Sequence, residues 1–259
     1  MSGNRKRIYD FHTHISSIEV LKSYYEQDIW PLINCQSREE YNNLMDNVDF
    51  LLRENVFYID NIYYSMGIHP FDADTVDKQF GTSYEEMVSR SNLIGEIGMD
   101  ACWCDTPFED QERVFVMSLD LAEKYKKPII LHTKNMEGRI YDILKNYDLE
   151  MVIHWYSCDK YIREFIGLGS YFTIGPAIFV DENVRNLVKL LPMDRILIET
   201  DGVEAIEWLF NKKFDHNNLR NLLESVISEL SDIKQVSFDF MSETILENSE
   251  RLLRKEFYE

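Results

Sequence analysis

The stretch Asp10-Phe11-His12-Thr13-His14 follows a short apolar approach, Ile8-Tyr9, close to the N-terminus. Side chains alternate faces along an extended strand, so Asp10, His12 and His14 are expected on one face, with Phe11 and Thr13 on the other. Two imidazoles side by side at a strand end suit a divalent transition metal, because each neutral ring offers a nitrogen lone pair. His-x-His also arises by chance in chains that bind no metal. The weight therefore falls on the acids and histidines further along.

Outward from that first strand, over residues 7–14, apolar runs alternate with helical patterns. A helix is expected from Ile18 to Glu26, then a strand Ile29-Trp30-Pro31-Leu32-Ile33-Asn34, whose Pro31 is unusual inside a sheet. Ser37-Arg38-Glu39-Glu40 has the form of a capping box, and Tyr41, Leu44, Met45, Val48, Leu51 and Leu52 follow at helical spacing. Six more strands are read at Ile62 to His69, Leu93 to Gly98, Ile129 to His132, Met151 to His154, Ser170 to Ile174 and Arg195 to Asp201. Amphipathic helices are expected around Ser83 to Arg90 and from Phe108 to Lys126, with closing helices from Asn217 to Leu230 and Phe238 to Phe257. Continuous apolar strands suit a parallel sheet covered on both faces. Eight of them interleaved with helices predict one α/β domain over residues 1–259, a closed parallel (β/α)8 TIM barrel.

Length and composition agree with that expectation. The 259 residues are close to the roughly 250 typical of such a barrel. No apolar run approaches the roughly 20 residues that cross a bilayer, so no membrane partner is expected. The basic start, Met1 to Arg7, leads into the strand with no apolar segment of a signal peptide, and a cytoplasmic protein is expected. Cys35, Cys102, Cys104 and Cys158 fit reduced thiols better than a disulfide framework. A formal charge of −19 argues against a long duplex footprint, which normally rests on clustered Lys and Arg. Bound divalent cations would reverse the sign locally and admit a small anionic group.

His12, His14, His69, Glu96, His132, His154 and Asp201 all lie at or near the C-terminal ends of these strands, the rim where barrel active sites assemble. Of the 6 histidines only His216 falls outside the set. One histidine ending an apolar strand is commonly a satisfied core residue. Five in equivalent positions, with two carboxylates, point to a metal centre, because burying so many ionisable groups without a cation would cost several kcal/mol.

Asp-Phe-His-Thr-His, Gly67-Ile-His-Pro70, Gly95-Glu-Ile-Gly-Met-Asp100, Gln111 with Phe115, Pro128-Ile-Ile-Leu-His132, His154-Trp-Tyr-Ser157 and Glu199-Thr-Asp201 together resemble, in order, the signatures of the TatD family of metal-dependent deoxyribonucleases. The resemblance runs from about residue 8 to residue 201 and weakly through Glu247 to Leu252. It implies a barrel of the metallo-dependent hydrolase type with two divalent ions, Zn, Mn, Mg or Co. His12 and His14 would bind one ion, His132 and His154 the other, Glu96 would bridge them, and Asp201 would bind the first beside the attacking water. The implied reaction is hydrolysis of DNA phosphodiesters, at single strands or frayed ends. Asp201 is then a general base or a plain ligand, and Glu96 shares the catalytic centre. His69 would contact phosphate, protonate the leaving group, or hold a structural hydrogen bond before Pro70.

Asp100 and Glu199 are candidates to orient the metal-binding histidines, Glu199 equally a cap or structural pair. Ser157 is a candidate phosphate contact or a turn residue. Cys102 and Cys104 lie near the rim, as soft ligands or incidental thiols. The chain departs from the family pattern after His132, where Thr133-Lys134-Asn135 stands for the usual arginine and keeps the charge without its bidentate fork. Asp201 is followed by Gly202-Val203 instead of Ala-Pro, and Ser157 by Cys158 instead of glycine. These changes touch the substrate more than the metal set. They leave open a metal-dependent hydrolase of a small ester, amide or lactone, or of an aminoacyl ester, and a barrel that binds without turnover.

Overall fold

A computed structural model describes residues 6–53, 62–76 and 83–254. Eight parallel strands run in sequence order around one sheet: β1 Ile8–Thr13, β2 Ile29–Cys35, β3 Tyr63–Met66, β4 Leu93–Asp100, β5 Ile129–Lys134, β6 Met151–Ile153, β7 Tyr171–Ile174 and β8 Ile196–Ile198. Between them lie α1 Ile18–Glu26, α2 Arg38–Arg53, α3 Tyr84–Arg90, α4 Phe108–Tyr125, α5 Glu137–Leu144, α6 Ile162–Gly167 and α7 Glu182–Leu190. After β8 come α8 Val203–Phe210, α9 Leu219–Lys234 and α10 Phe238–Arg254. The expected end of the last helix at Phe257 lies outside the described residues. Among the described residues no helix is long and apolar enough to cross a membrane.

Every strand contributes to a cluster made of Tyr9, Phe11, Leu32, Tyr63, Leu93, Ile130, Val152, Tyr171 and Leu197, so this cluster is the barrel interior. Leu252 and Leu253 of α10 join it and close the end of the barrel remote from the rim. The second, larger core lies between the sheet and the helices, where Val20, Leu44, Val114, Leu119, Leu187 and Leu223 pack on outward strand residues. Apolar side chains on both faces of each strand explain why the strands read as continuous hydrophobic runs.

β1 does not alternate as its sequence suggests. Its pairing with β2 slips between Asp10 and Thr13, and Asp10 stands opposite Pro31, which has no N–H to give the ladder. The slip separates Asp10 from His12 and His14. Tyr9 and Phe11 face the interior, while Asp10 and Thr13 both meet the Tyr24 hydroxyl of α1, at 2.9 and 2.7 Å. The expectation of Asp10 on the same face as the two histidines is thus corrected: a bulge resets the period inside the strand.

Asp10 instead ties the seam where the barrel closes. Its carboxylate accepts from the Thr200 backbone N–H at 2.9 Å and the Thr200 hydroxyl at 2.5 Å, just past β8. The next N–H along, that of Asp201, donates to the His12 carbonyl at 3.0 Å. Burial pushes the Asp10 carboxyl up to about 7, against the opposing pull of its hydrogen bonds from Thr200 and Tyr24. Replacing Asp10 by Ala would strand the Thr200 N–H in the core, at a cost of about 2 kcal/mol. Urea unfolding of Asp10→Ala is expected to show that loss, with Asp10→Asn, which keeps a carbonyl acceptor, closer to wild type; an unchanged midpoint for Asp10→Ala would refute the seam role.

Candidate metal centre

The rim residues are placed by where each strand stops. β3, β6 and β8 end at Met66, Ile153 and Ile198, so His69, His154 and Asp201 stand one to three residues beyond the sheet rather than within it. β4 and β5 run further, to Asp100 and Lys134, and carry Glu96 and His132 on ordered backbone. β4 lies close to its neighbours because glycines allow it. A Cβ at Gly98, whose φ is +148°, would lie 2.0 Å from the His132 carbonyl oxygen, and one at Gly67 would lie 2.7 Å from the Glu96 nitrogen.

Glu96 is the centre of the group. One carboxylate oxygen, Oε1, lies 2.6 Å from His132 Nδ1, 2.6 Å from His154 Nε2 and 3.7 Å from His69 Nε2. The other, Oε2, faces His12 Nε2 at 3.6 Å and His14 Nε2 at 3.9 Å. Asp201 Oδ1 completes the second side, 3.3 Å from His12 and 3.6 Å from His14. Three overlapping donor sets therefore exist: His12, Glu96 and His154; His12, His14 and Asp201; and His69, Glu96 and His132. The third places His69 among candidate ligands, beside its expected role toward substrate. His69 Nδ1 also accepts from the Phe71 N–H at 3.3 Å, which is the structural bond expected before Pro70.

Behind these donors sits a supporting layer. Asp100 Oδ2 meets His132 Nε2 at 2.7 Å, and Glu199 Oε2 lies 3.6 Å from His154 Nδ1. Gln111 of α4 holds Asp100 by both ends of its backbone, accepting from the Asp100 N–H at 2.8 Å and donating to its carbonyl at 3.1 Å. Two backbone positions are held in the left-handed region, Trp155 at φ 41° and Asp201 at φ 61°. Each costs on the order of 1 kcal/mol for a residue with a Cβ. Trp155 is kept there by its N–H to Glu199 Oε1 at 2.8 Å and its carbonyl to Lys134 Nζ at 2.6 Å. Gly202, at φ +89°, would place a Cβ 3.0 Å from the His14 carbonyl oxygen, which accounts for glycine directly after Asp201.

The electrostatics of the donor set suit a cation. Burial alone would raise the Glu96 carboxyl, but His154, His69 and His132 outweigh it and hold it well below the usual range. Burial would lower the His154 imidazole, yet Glu96 and Glu199 drive it well above its ordinary value. His69, by contrast, is pushed down to about 3, chiefly by burial. Asp201 is drawn down despite burial by His12, 3.3 Å away, and by the charges of His154 and His14. Both nitrogens of His12 and both of His154 are buried without a hydrogen-bond partner. Orphaned imidazole nitrogens beside two carboxylates fit a metal ion.

All of these donors except His12 line a cavity of about 1040 Å³. Lys134 lines it, as expected; Ser157 does not, and Trp155 takes that side of the wall. The sequence analysis did not single out Asn34 and Gln36, whose amide nitrogens lie 3.5 and 3.1 Å from Glu96 Oε2. Their position at the C-terminal end of β2 was the available signal. Nor did it find Trp103 and Trp208, indoles at the cavity mouth that no strand-end rule reaches.

An eight-stranded parallel barrel with imidazole and carboxylate donors gathered at its rim is the architecture of a metal-dependent hydrolase. The family described as TatD related DNase matches residues 9–254, and the chain belongs to it. An uncharacterised metal-dependent hydrolase of Methanocaldococcus jannaschii is 30% identical over 199 residues, covering 75% of this chain and 77% of that protein. A human 3′-5′ RNA nuclease is 23% identical over 220 residues, covering 78% of this chain and 28% of the human protein. The crystal structure of the TatD homologue YjjV from Escherichia coli superposes with a TM-score of 0.76 at 20% identity, over 95% of this chain and 97% of that one.

Protein stripped with a chelator is expected to gain roughly 5–10 °C in melting midpoint when Mn²⁺ or Zn²⁺ is restored at about one hundred times its dissociation constant. Glu96→Gln should lose most of that gain. A midpoint indifferent to chelator and metal would rule out the centre.

Proposed function

We propose that the protein hydrolyses phosphodiester bonds of DNA at single-stranded or frayed ends, with two divalent cations held by His12, His14, Glu96, His132, His154 and Asp201. Bound there, the cations would supply Lewis acidity and lower the pKa of a water molecule. Glu96, with one oxygen toward His12 and His14 and the other toward His132 and His154, is the carboxylate shared between the two sets. Asp201 lies at the edge of the cavity, ionised and 21% exposed, and is positioned to accept a proton from an attacking water. Lys134 offers an ammonium to the phosphate while its Nζ rests on the Trp155 carbonyl. His69 presents Nε2 to the same side as His132, 3.3 Å away, where it can donate to a phosphate oxygen.

The observation that carries this reading is Lys134, a buried lysine lining the same cavity as five of the six donors, all but His12. The family description and the name of the human relative support it. Hydrolysis of a small ester, amide or lactone, or of an aminoacyl ester, is favoured by one feature: Glu40, Asp46 and Glu204 also line the cavity, which suits a substrate of low charge. Metal-loaded protein should shorten labelled single-stranded DNA, and Asp201→Asn should lower the rate at least about a hundredfold without shifting the melting midpoint by more than a few degrees. Retention of most of the rate would remove Asp201 from the mechanism; turnover of small esters with intact DNA would remove the nuclease reading.

A further inference from the structure

Two tryptophans stand at the mouth of the cavity with most of their surface in solvent, Trp103 at 60% and Trp208 at 67% exposure. Because they touch, they form a contiguous exposed aromatic patch rather than two scattered residues. They arrive from opposite sides, Trp103 from the loop after β4 and Trp208 from α8 after β8, and meet edge to face with centroids 6.4 Å apart at 78°. Lys134 Nζ lies 5.7 Å from the Trp103 ring. The loop carrying Trp103 is pinned: Asp100 Oδ1 accepts from the N–H groups of Cys102 and Trp103 at 2.6 and 2.8 Å, while Oδ2 holds His132. A metal-site histidine, the cavity's ammonium and an open aromatic face are thus held in one unit.

The charge of the lining bounds what can enter. Among the described residues lining the cavity, Lys134 is the one lysine or arginine, set against Glu40, Asp46, Glu96, Asp201 and Glu204. A strand threaded along this cavity would bring the phosphates beyond the metal donors past Glu40, Asp46 and Glu204, with no further lysine or arginine in the lining to receive them. One phosphate beside Lys134 and the donor wall, carrying one planar ring, meets no such obstacle.

We propose, resting on the phosphodiesterase reading, that the base next to the scissile phosphate stacks on the open face of the edge-to-face pair Trp103 and Trp208, a one-sided aromatic clamp, while Lys134 receives that phosphate, so that the site acts on the terminal linkage of a strand or on a dinucleotide and makes no use of the nucleotides beyond. Stacking tolerates every base and gives no sequence preference. It makes recognition depend on the presence of a ring, and on one phosphate only.

Steady-state kinetics with a dinucleotide, a twenty-nucleotide single strand and an abasic dinucleotide analogue test this, together with quenching of indole fluorescence when the dinucleotide binds metal-loaded Asp201→Asn protein. Expected are similar kcat/KM for dinucleotide and long strand, and a salt slope of log(kcat/KM) near −1, as for one neutralised phosphate. Trp103→Ala and Trp208→Ala should each raise KM for the dinucleotide about tenfold, with a much smaller change for the abasic analogue, and Trp103→Phe should restore most of the loss. Equal effects on base-bearing and abasic esters, or a long strand preferred by orders of magnitude with a steep salt slope, would overturn the clamp while leaving phosphodiester hydrolysis standing. If no phosphodiester is cleaved, the nuclease reading falls; saturable quenching abolished by either alanine variant would still support the clamp, and its absence would refute it.

Discussion

A carboxylate 3% exposed, with imidazoles on both of its oxygens, is the feature around which this barrel is arranged. Glu96 cannot remain ionised in such a place without compensating charge, and five histidines approaching one cavity wall cannot all be protonated together. As the side chains stand, the ring nitrogens of both His12 and His154 are left with no hydrogen-bond partner. Bound metal would satisfy the whole set, which gives these side chains a reason to converge from six of the eight strands and their following loops. Remaining features of the rim serve to hold that convergence. The close approach at Gly67 and Gly98, the left-handed backbone at Trp155 and Asp201, and the Gln111 clamp on Asp100 each fix a residue that carries or supports a donor.

Most of the architecture was legible because burial on both faces writes strands as plain apolar runs, and all eight lie where those runs predicted them. The rim set followed from a topological rule, since polar residues at the C-terminal ends of barrel strands share one cavity whatever their distance in sequence. Asp10 was misplaced because alternation assumes an unbroken period, and the slip opposite Pro31 breaks it inside β1. Ser157 and Trp155 follow the same histidine, two residues apart. Which of them lines the cavity is decided by the positive φ at Trp155, and that conformation depends on Glu199, 44 residues away. No local pattern carries such information. The tryptophans at the mouth were invisible for a related reason: they sit in a loop and on a helix, where neither spacing nor strand position marks a side chain as facing the site.

The departures from the family pattern acquire physical meaning from the coordinates. Glycine after Asp201 permits a backbone pass against His14 that a Cβ would crowd, so this change supports the metal-side geometry. Lysine in place of arginine after His132 has a different consequence. Its ammonium is a single point of charge, and it spends one hydrogen bond on the Trp155 carbonyl, leaving less for a phosphate than a planar fork would. Burial also pulls the Lys134 pKa down, against the opposing effect of Glu199, Glu96 and Asp201. Those carboxylates also limit the positive potential the side chain can show a polyanion.

Recognition and chemistry are joined through Asp100. With Oδ2 on His132 and Oδ1 on the two N–H groups leading to Trp103, this one carboxylate sets the orientation of a metal-site imidazole and the position of the indole at the mouth. Burial would raise its pKa, but the bonds from His132, Trp103 and Cys102 hold it ionised, so both connections carry charge and are the stronger for it. The coupling is direct, with no conformational change required to transmit it, because β4 delivers Glu96, Asp100 and the loop bearing Trp103 within eight residues of one strand and its exit. In this barrel the strand that supplies the shared carboxylate also supplies the arm that reaches the solvent, and substrate preference can shift with the sequence of that exit while the donor set stays intact.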